Sequence, residues 1–153
     1  MFVYRIAKTK LSKDFSGEGA KLHGGRWNHI LTPCIYTSES RALAVLEFTV
    51  NVNIDDIPKS LSLITIEIPK IQIQELTIHE LPENWQVSPA PASTKDFGTN
   101  LLTLAKTAVI KFPSVVIPCE FNYLLNPQNN HFKKFKITNV EDFFYDTRIK
   151  MNK

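Results

Sequence analysis

A chain of 153 residues with 43% apolar and 22% charged residues has the composition of an ordinary globular domain, which excludes disordered and fibrous classes. Its net charge of +3, carried by scattered lysines, demands no direct nucleic-acid partner but favours an anionic small molecule. No run approaches the ~20 apolar residues of a membrane span. Two cysteines are too few for a disulfide framework, so a cytoplasmic protein folding as a single domain over residues 1–153 is expected.

In chain order, Phe2 to Ile6 alternates as a first strand, with Arg5 in it. The segment Lys10 to Asn28 reads as a loop and holds four of the five glycines, Gly17, Gly19, Gly24 and Gly25. Beside Arg26 such a loop is either a ligand-binding segment or a flexible surface one. Cys34 to Thr37 is a short strand, and Ser38 is placed to cap a helix running to about Asn51. Ala42, Val45, Leu46 and Thr49 recur there at helical spacing, and Glu47 is a carboxylate set among core positions. Leu61 to Ile68 is a strand ended by Pro69, and Ile71 to Ile78 a second. Leu81 to Thr94, with Pro82, Pro89 and Pro91, is irregular, and Gly98 to Lys106 is a short helix.

Ala108 to Phe112 and Val115 to Cys119 are apolar strands broken by Pro113. Phe132 to Ile137 is a last strand whose Lys133, Lys134 and Lys136 form a solvated face, and Val140 to Tyr145 is helix or turn. Cys34 and Cys119 both lie in apolar runs, as buried thiols do. His23, His29, His79 and His131 are too far apart for a local ligand pair, so no metal site is expected. The order of elements predicts an α+β fold, a mixed sheet core with a few flanking helices.

Five separated segments, in order, resemble the RES domain. They are Tyr4-Arg5; Gly24-Gly25-Arg26-Trp27-Asn28 with Ile35 to Ser38 and Ala44 to Glu47; Leu81 to Trp85 with Gly98; Phe112-Pro113-Ser114 running into Glu120 to Pro127; and Tyr145 to Ile149. The sequence departs from the family pattern at Asn51, where a histidine is expected one turn after the glutamate, and at Phe112, where valine is expected. The resemblance implies an ADP-ribosyltransferase-like fold and an enzyme that degrades NAD+ as substrate, with no cofactor required. It also implies the toxin half of a type II toxin–antitoxin pair, bound by an Xre-type antitoxin, with homo-oligomers within that complex.

Cleavage of the nicotinamide–ribose bond builds positive charge on the ribose, which a carboxylate stabilises. On that reading the catalytic set is Arg26, Tyr36, Glu47 and Ser114: Glu47 faces the ribosyl cation, Tyr36 packs nicotinamide, and Arg26 holds the pyrophosphate. Arg5, Gly25, Asn28 and Asn126 are the candidate substrate-binding residues, with a structural ion pair the other reading of Arg5 and hydrogen bonds to their own backbone the other reading of the two loop asparagines. Ser114 assists without being a covalent nucleophile, because no histidine stands in a recognisable triad arrangement. Trp27 and Trp85 read as core or pocket wall. Water, inorganic phosphate or a protein side chain are the open choices of acceptor. A non-catalytic RES-like module that only binds a partner is the alternative from another class.

Overall fold

The computed structural model describes residues 1–151. Its strands are β1 (Phe2–Lys8), β2 (Ile35–Ser38), β3 (Leu61–Glu67), β4 (Gln74–Glu75), β5 (Val109–Pro113), β6 (Phe121–Leu125) and β7 (Lys136–Phe143). They form one seven-stranded sheet in the order β4-β5-β6-β2-β1-β3-β7. Every pairing is antiparallel except that of β4 with β5. The described residues also form three α-helices, α1 (Glu18–His23), α2 (Arg41–Asn51) and α3 (Ala92–Leu104). This is the expected α+β architecture.

Side-chain alternation splits the interior into two cores, one on each face of the sheet. Ile35, Val109, Tyr123 and Leu125 join Val3, Ile64 and Ile66 on one face. Cys34, Ile110, Phe112 and Leu124 join Trp27, Trp85 and Leu102 on the other. Trp27 is the centre of this second core: its ring stacks on Phe112 at 4.0 Å between centroids and lies 6.2 Å from Trp85. α3 covers Trp27 so closely that a Cβ on Gly98 would stand 2.1 Å from the Trp27 carbonyl oxygen. Close packing, rather than a helix end, therefore explains Gly98, and α3 starts at Ala92, upstream of where the glycine suggested.

Several elements differ from the sequence expectation, each for a local reason. The glycine-rich segment contains α1, closed at Gly24, whose φ of 70° suits a residue without a side chain. The cap of α2 is Ser40, whose hydroxyl accepts from the Leu43 N–H at 3.0 Å, while Ser38 stays in β2. Leu43, Ala44 and Thr49 are the buried positions of α2, and Ala42 is exposed. Ile71 to Ile78 yields only the two residues of β4, because Thr77 and Glu80 form a capping box that starts a 3₁₀ turn.

Val115 to Cys119 is a turn and not a strand: the Ser114 hydroxyl accepts from the N–H groups of Val116 and Ile117, folding the chain back so that β6 pairs with β5. That turn leaves Cys119 exposed, while Cys34 is buried. Lys133 and Lys134 lie in a 3₁₀ segment, Asn130–Lys134, nucleated by the Asn129 side chain accepting from the His131 N–H. Val140 to Phe143 belongs to β7, which pairs along the whole of β3 and shields that apolar strand from solvent.

Candidate active site

Strand register builds one row of side chains across the sheet. Tyr4 of β1 pairs with Ser38 of β2, Ser38 with Asn122 of β6, and Asn122 with Phe112 of β5. Residues opposite one another share a face, so these four side chains stand side by side on the face that carries Trp27. Ser114 follows Phe112 by two residues and points the same way.

α2 delivers Glu47 onto that row. Glu47 Oε1 accepts from the Ser114 hydroxyl at 2.8 Å and from the Asn122 side-chain amide in a short hydrogen bond. The Ser38 hydroxyl donates to Asn122 Oδ1 at 2.8 Å, which fixes the orientation of the amide. Ser114 is fully buried and is itself held by the two N–H groups of its turn. Oε2 accepts no hydrogen bond from the described residues, so one carboxylate oxygen is anchored and the other is available. Glu47 lines a cleft of about 200 Å³ with Tyr4, Arg5, Ile6, Tyr36, Phe48 and Asn51 among the walls.

The helix is held at both ends. Its N-terminus has the Ser40 cap, and at its C-terminus Lys150 Nζ donates to the carbonyls of Thr49 and Val52. Nearby, Thr49 Oγ1 bonds the Tyr145 hydroxyl at 2.9 Å, and Phe48 meets the Tyr145 ring at 5.8 Å. Of the C-terminal aromatics, Tyr145 thus braces α2, while Phe144 is 88% exposed.

Tyr36 has a ring on the cleft and a hydroxyl turned to the scaffold. The hydroxyl donates to Asn28 Oδ1 at 2.8 Å and accepts from the Trp27 N–H at 2.9 Å. Burial, followed by the neighbouring Cys34, pushes this phenol well above the ordinary tyrosine value. Burial likewise pushes the Cys34 thiol up to about 12. Both groups are neutral at physiological pH. A Cβ on Gly25 would stand 2.5 Å from the Tyr36 hydroxyl oxygen, so the glycine makes room for this ring.

The remaining candidates fall away from the cleft or are tied down. Asn28 is completely buried and donates to the carbonyls of Ala20, His29 and Thr32. Asn126 is equally buried, bonding the Leu102 carbonyl and the Gln128 N–H. Arg26 Nη1 donates to the carbonyls of Trp85 and Val87 at 2.6 and 2.9 Å, pinning the proline-rich segment. Arg26 is not among the cleft-lining residues, yet it feels the charge of Glu47, which partly offsets the lowering of its pKa by burial. Arg5 belongs to the strand that walls the cleft, but alternation turns its side chain to the face opposite Tyr4. Its Nη2 reaches the carbonyls of Leu11 and Asp14, both at 3.3 Å, and its buried Nε has no partner among the described residues. Burial lowers its pKa, against the raising effect of Asp14.

The structure therefore gathers Glu47, Ser114 and Tyr36, and sets Arg5, Asn28, Asn126 and Gly25 in the scaffold. Sequence reasoning missed Asn122, Ser38 and Tyr4 as members of the site. A signal for Asn122 was present: in the alternating run Phe121 to Leu125 it is a polar residue on the same face as Leu124, a core residue.

The profile of the RES domain matches residues 2–146. The chain belongs to the RES-domain family of toxins. It is 36% identical over 152 residues to the protein named Toxin Res of Photorhabdus laumondii, covering 97% of both chains. It is also 36% identical to the Prs ADP-ribosylating toxin of Sphingobium sp., over 94% of this chain and 91% of that one. A chain in the crystal structure of the M. tuberculosis MbcT–MbcA toxin–antitoxin complex shares the fold, with a TM-score of 0.75 at 18% identity over 93% of this chain and 83% of that one. Among the described residues no three His, Cys, Asp or Glu side chains converge, and no helix is long and apolar enough to cross a membrane.

Proposed function

We propose that this RES-domain toxin consumes NAD+ by breaking its nicotinamide–ribose bond. The observation that carries the reading is Glu47: one oxygen is fixed by Ser114 and Asn122, and the other is available at the wall of an aromatic-lined cleft. In this reaction the bonding electron pair leaves with nicotinamide, which becomes neutral, and positive charge is left on the ribose ring. A carboxylate already oriented stabilises that charge without reorganising during the step. Ser114 and Asn122 act on Glu47, while Tyr4, Tyr36 and Phe48 offer ring surfaces for the planar nicotinamide. Arg26, which feels the charge of Glu47, acts from behind the cleft by holding Trp85 and Val87.

Three acceptors fit the same cation: water, giving hydrolysis; inorganic phosphate, giving phosphorolysis; or a protein side chain. The last is favoured by the Sphingobium relative, whose name assigns it ADP-ribosylation. An enzyme that depletes a central cofactor needs a neutralising partner. The shared fold with a chain of a toxin–antitoxin complex supports an antitoxin in that role.

The test is NAD+ turnover by purified protein, wild type against Glu47→Gln, with and without inorganic phosphate. Wild type releases nicotinamide, and Glu47→Gln loses roughly 10²–10³-fold in kcat, the scale of removing a preorganised electrostatic contact. A phosphate requirement makes it a phosphorylase. Label from NAD+ appearing on cellular protein, without free turnover, makes it a transferase. Neither turnover nor transfer by folded wild type overturns the reading and leaves a module that only binds.

A further inference from the structure

The chain has four arginines. Arg5 and Arg26 are engaged with backbone carbonyls, and Arg148 pairs with Asp146. Arg41 differs from all three. It is exposed, opens α2, and makes no hydrogen bond or ion pair with any described residue. Its one contact of note is with an aromatic ring: Cζ lies over Tyr4, 4.5 Å from the centroid. Tyr4 lines the Glu47 cleft, so Arg41, itself outside the lining, packs on one of the cleft's walls.

We propose that Arg41 is a phosphoryl-recognising residue at the mouth of the Glu47 cleft. The inference rests on NAD+ cleavage for the identity of its ligand, and on geometry for its existence. A guanidinium held over a ring by cation–π attraction keeps its N–H donors for oxygen ligands, and planar bidentate contact to phosphoryl oxygens is what this group does best. Tyr4 restrains the long side chain beforehand, which reduces the ordering cost of binding.

Size supports the placement. A cleft of about 200 Å³ is below the usual range for a complete drug-sized ligand, so it takes one end of a dinucleotide and leaves the diphosphate outside. Along α2, Arg41 and Glu47 are separated by six residues, roughly 9 Å of rise and about 120° around the axis, and the contact with the Tyr4 ring is what turns the Arg41 side chain toward the cleft. A ribose 5′-phosphate contacted at each end suits that span. The phosphoryl group has two sources, the diphosphate of the substrate or inorganic phosphate acting as acceptor.

The experiment compares wild type, Arg41→Lys and Arg41→Gln in two ways. Steady-state kinetics are measured with NAD+, with nicotinamide riboside (which lacks phosphate) and with varied inorganic phosphate. Calorimetric titration with inorganic pyrophosphate provides a readout independent of turnover. If Arg41 binds the substrate diphosphate, Arg41→Gln raises KM for NAD+ at least ~10-fold, the scale of a lost charge-assisted pair, and leaves nicotinamide riboside unaffected. If it binds the acceptor, KM for inorganic phosphate rises instead. In both cases the effect falls on KM more than kcat, Arg41→Lys recovers part of it, and pyrophosphate binds wild type at least tenfold more tightly than Arg41→Gln. Equal pyrophosphate binding by the two proteins, or none by wild type, overturns the proposal. So does an equal change for NAD+ and nicotinamide riboside, which marks a structural role. Pyrophosphate binding that depends on Arg41 in a wild type without NAD+ turnover retains the rim site and rejects the cleavage reading.

Discussion

Two polar clusters stand on the same face of the sheet, and they use hydrogen bonds differently. Around Asn28, each donor and acceptor closes on the chain itself: the amide serves three carbonyls, its oxygen takes the Tyr36 hydroxyl, and that hydroxyl takes the Trp27 N–H. Around Glu47, Ser38 orients Asn122, and Asn122 and Ser114 converge on a single carboxylate oxygen. The other oxygen accepts no hydrogen bond from the described residues. A closed network makes a scaffold, since every polar atom it buries is satisfied within the fold. A network that ends on an unpartnered charge beside a cleft is suited to chemistry.

The largest effect that separates the two clusters is expected from Asn28→Ala. It removes two N–H donors shared among three carbonyls and one accepting oxygen at a buried position, so stability falls by roughly 3 kcal/mol at about 1 kcal/mol net for each group. Urea unfolding measures this as a lower midpoint. A variant that keeps its midpoint but loses affinity for NAD+ would break the comparison, because Asn28 would then be meeting substrate. Ser114→Ala should act mainly on the other cluster. Losing a hydrogen bond to a charged group is worth roughly 1.5–3 kcal/mol, so turnover should drop by about ten- to a hundredfold in kcat. The N–H groups of Val116 and Ile117 lose their acceptor as well, so a smaller loss of stability accompanies it. Full activity in Ser114→Ala would show that Asn122 alone holds the carboxylate.

Glu47, Ser114 and Tyr36 are candidates through motif resemblance alone, while β1 is legible through alternation and β3 and β5 through short apolar runs. Alternation failed where side chains capture the backbone locally. Ser114 turned an apolar run into a bend, Asn129 turned a presumed strand into a 3₁₀ segment, and Thr77 with Glu80 cut a strand to two residues. The same limit applies to the site. Asn28 and Asn126 carry two readings in the sequence, ligand hydroxyls or their own backbone, and only the fold shows the amides on carbonyls of their own chain. Asn122 was passed over because its value depends on register: only the pairing of Ser38 with Asn122 shows that the two act on Glu47 together. Arg41 and Tyr4 are far apart in sequence and meet only because α2 folds back over β1.

Tyr36 joins the two clusters, with its hydroxyl in one and its ring on the cleft of the other, and Tyr36→Phe separates those parts. The substitution keeps the ring and removes the bonds to Asn28 and Trp27, so stability should fall by roughly 1–2 kcal/mol. Turnover should change less than about threefold, since a neutral, buried phenol offers the reaction no accessible proton acceptor. The pH dependence gives a second reading. Burial holds the Tyr36 pKa above its unfolded value, so its contribution is fully present below about pH 10 and is lost as pH rises toward the folded pKa. Phenylalanine has no such titration. The stability difference between wild type and Tyr36→Phe should therefore be constant below about pH 10 and narrow above it. Cys34, raised to about 12 by burial and partly lowered by the Tyr36 hydroxyl beside it, loses that neighbour in Tyr36→Phe. Its own alkaline loss therefore differs between the two proteins and adds to the difference only near pH 12. A hundredfold loss of turnover with unchanged stability would instead move the phenol from the scaffold into the chemistry, and the two clusters would have to be read as one.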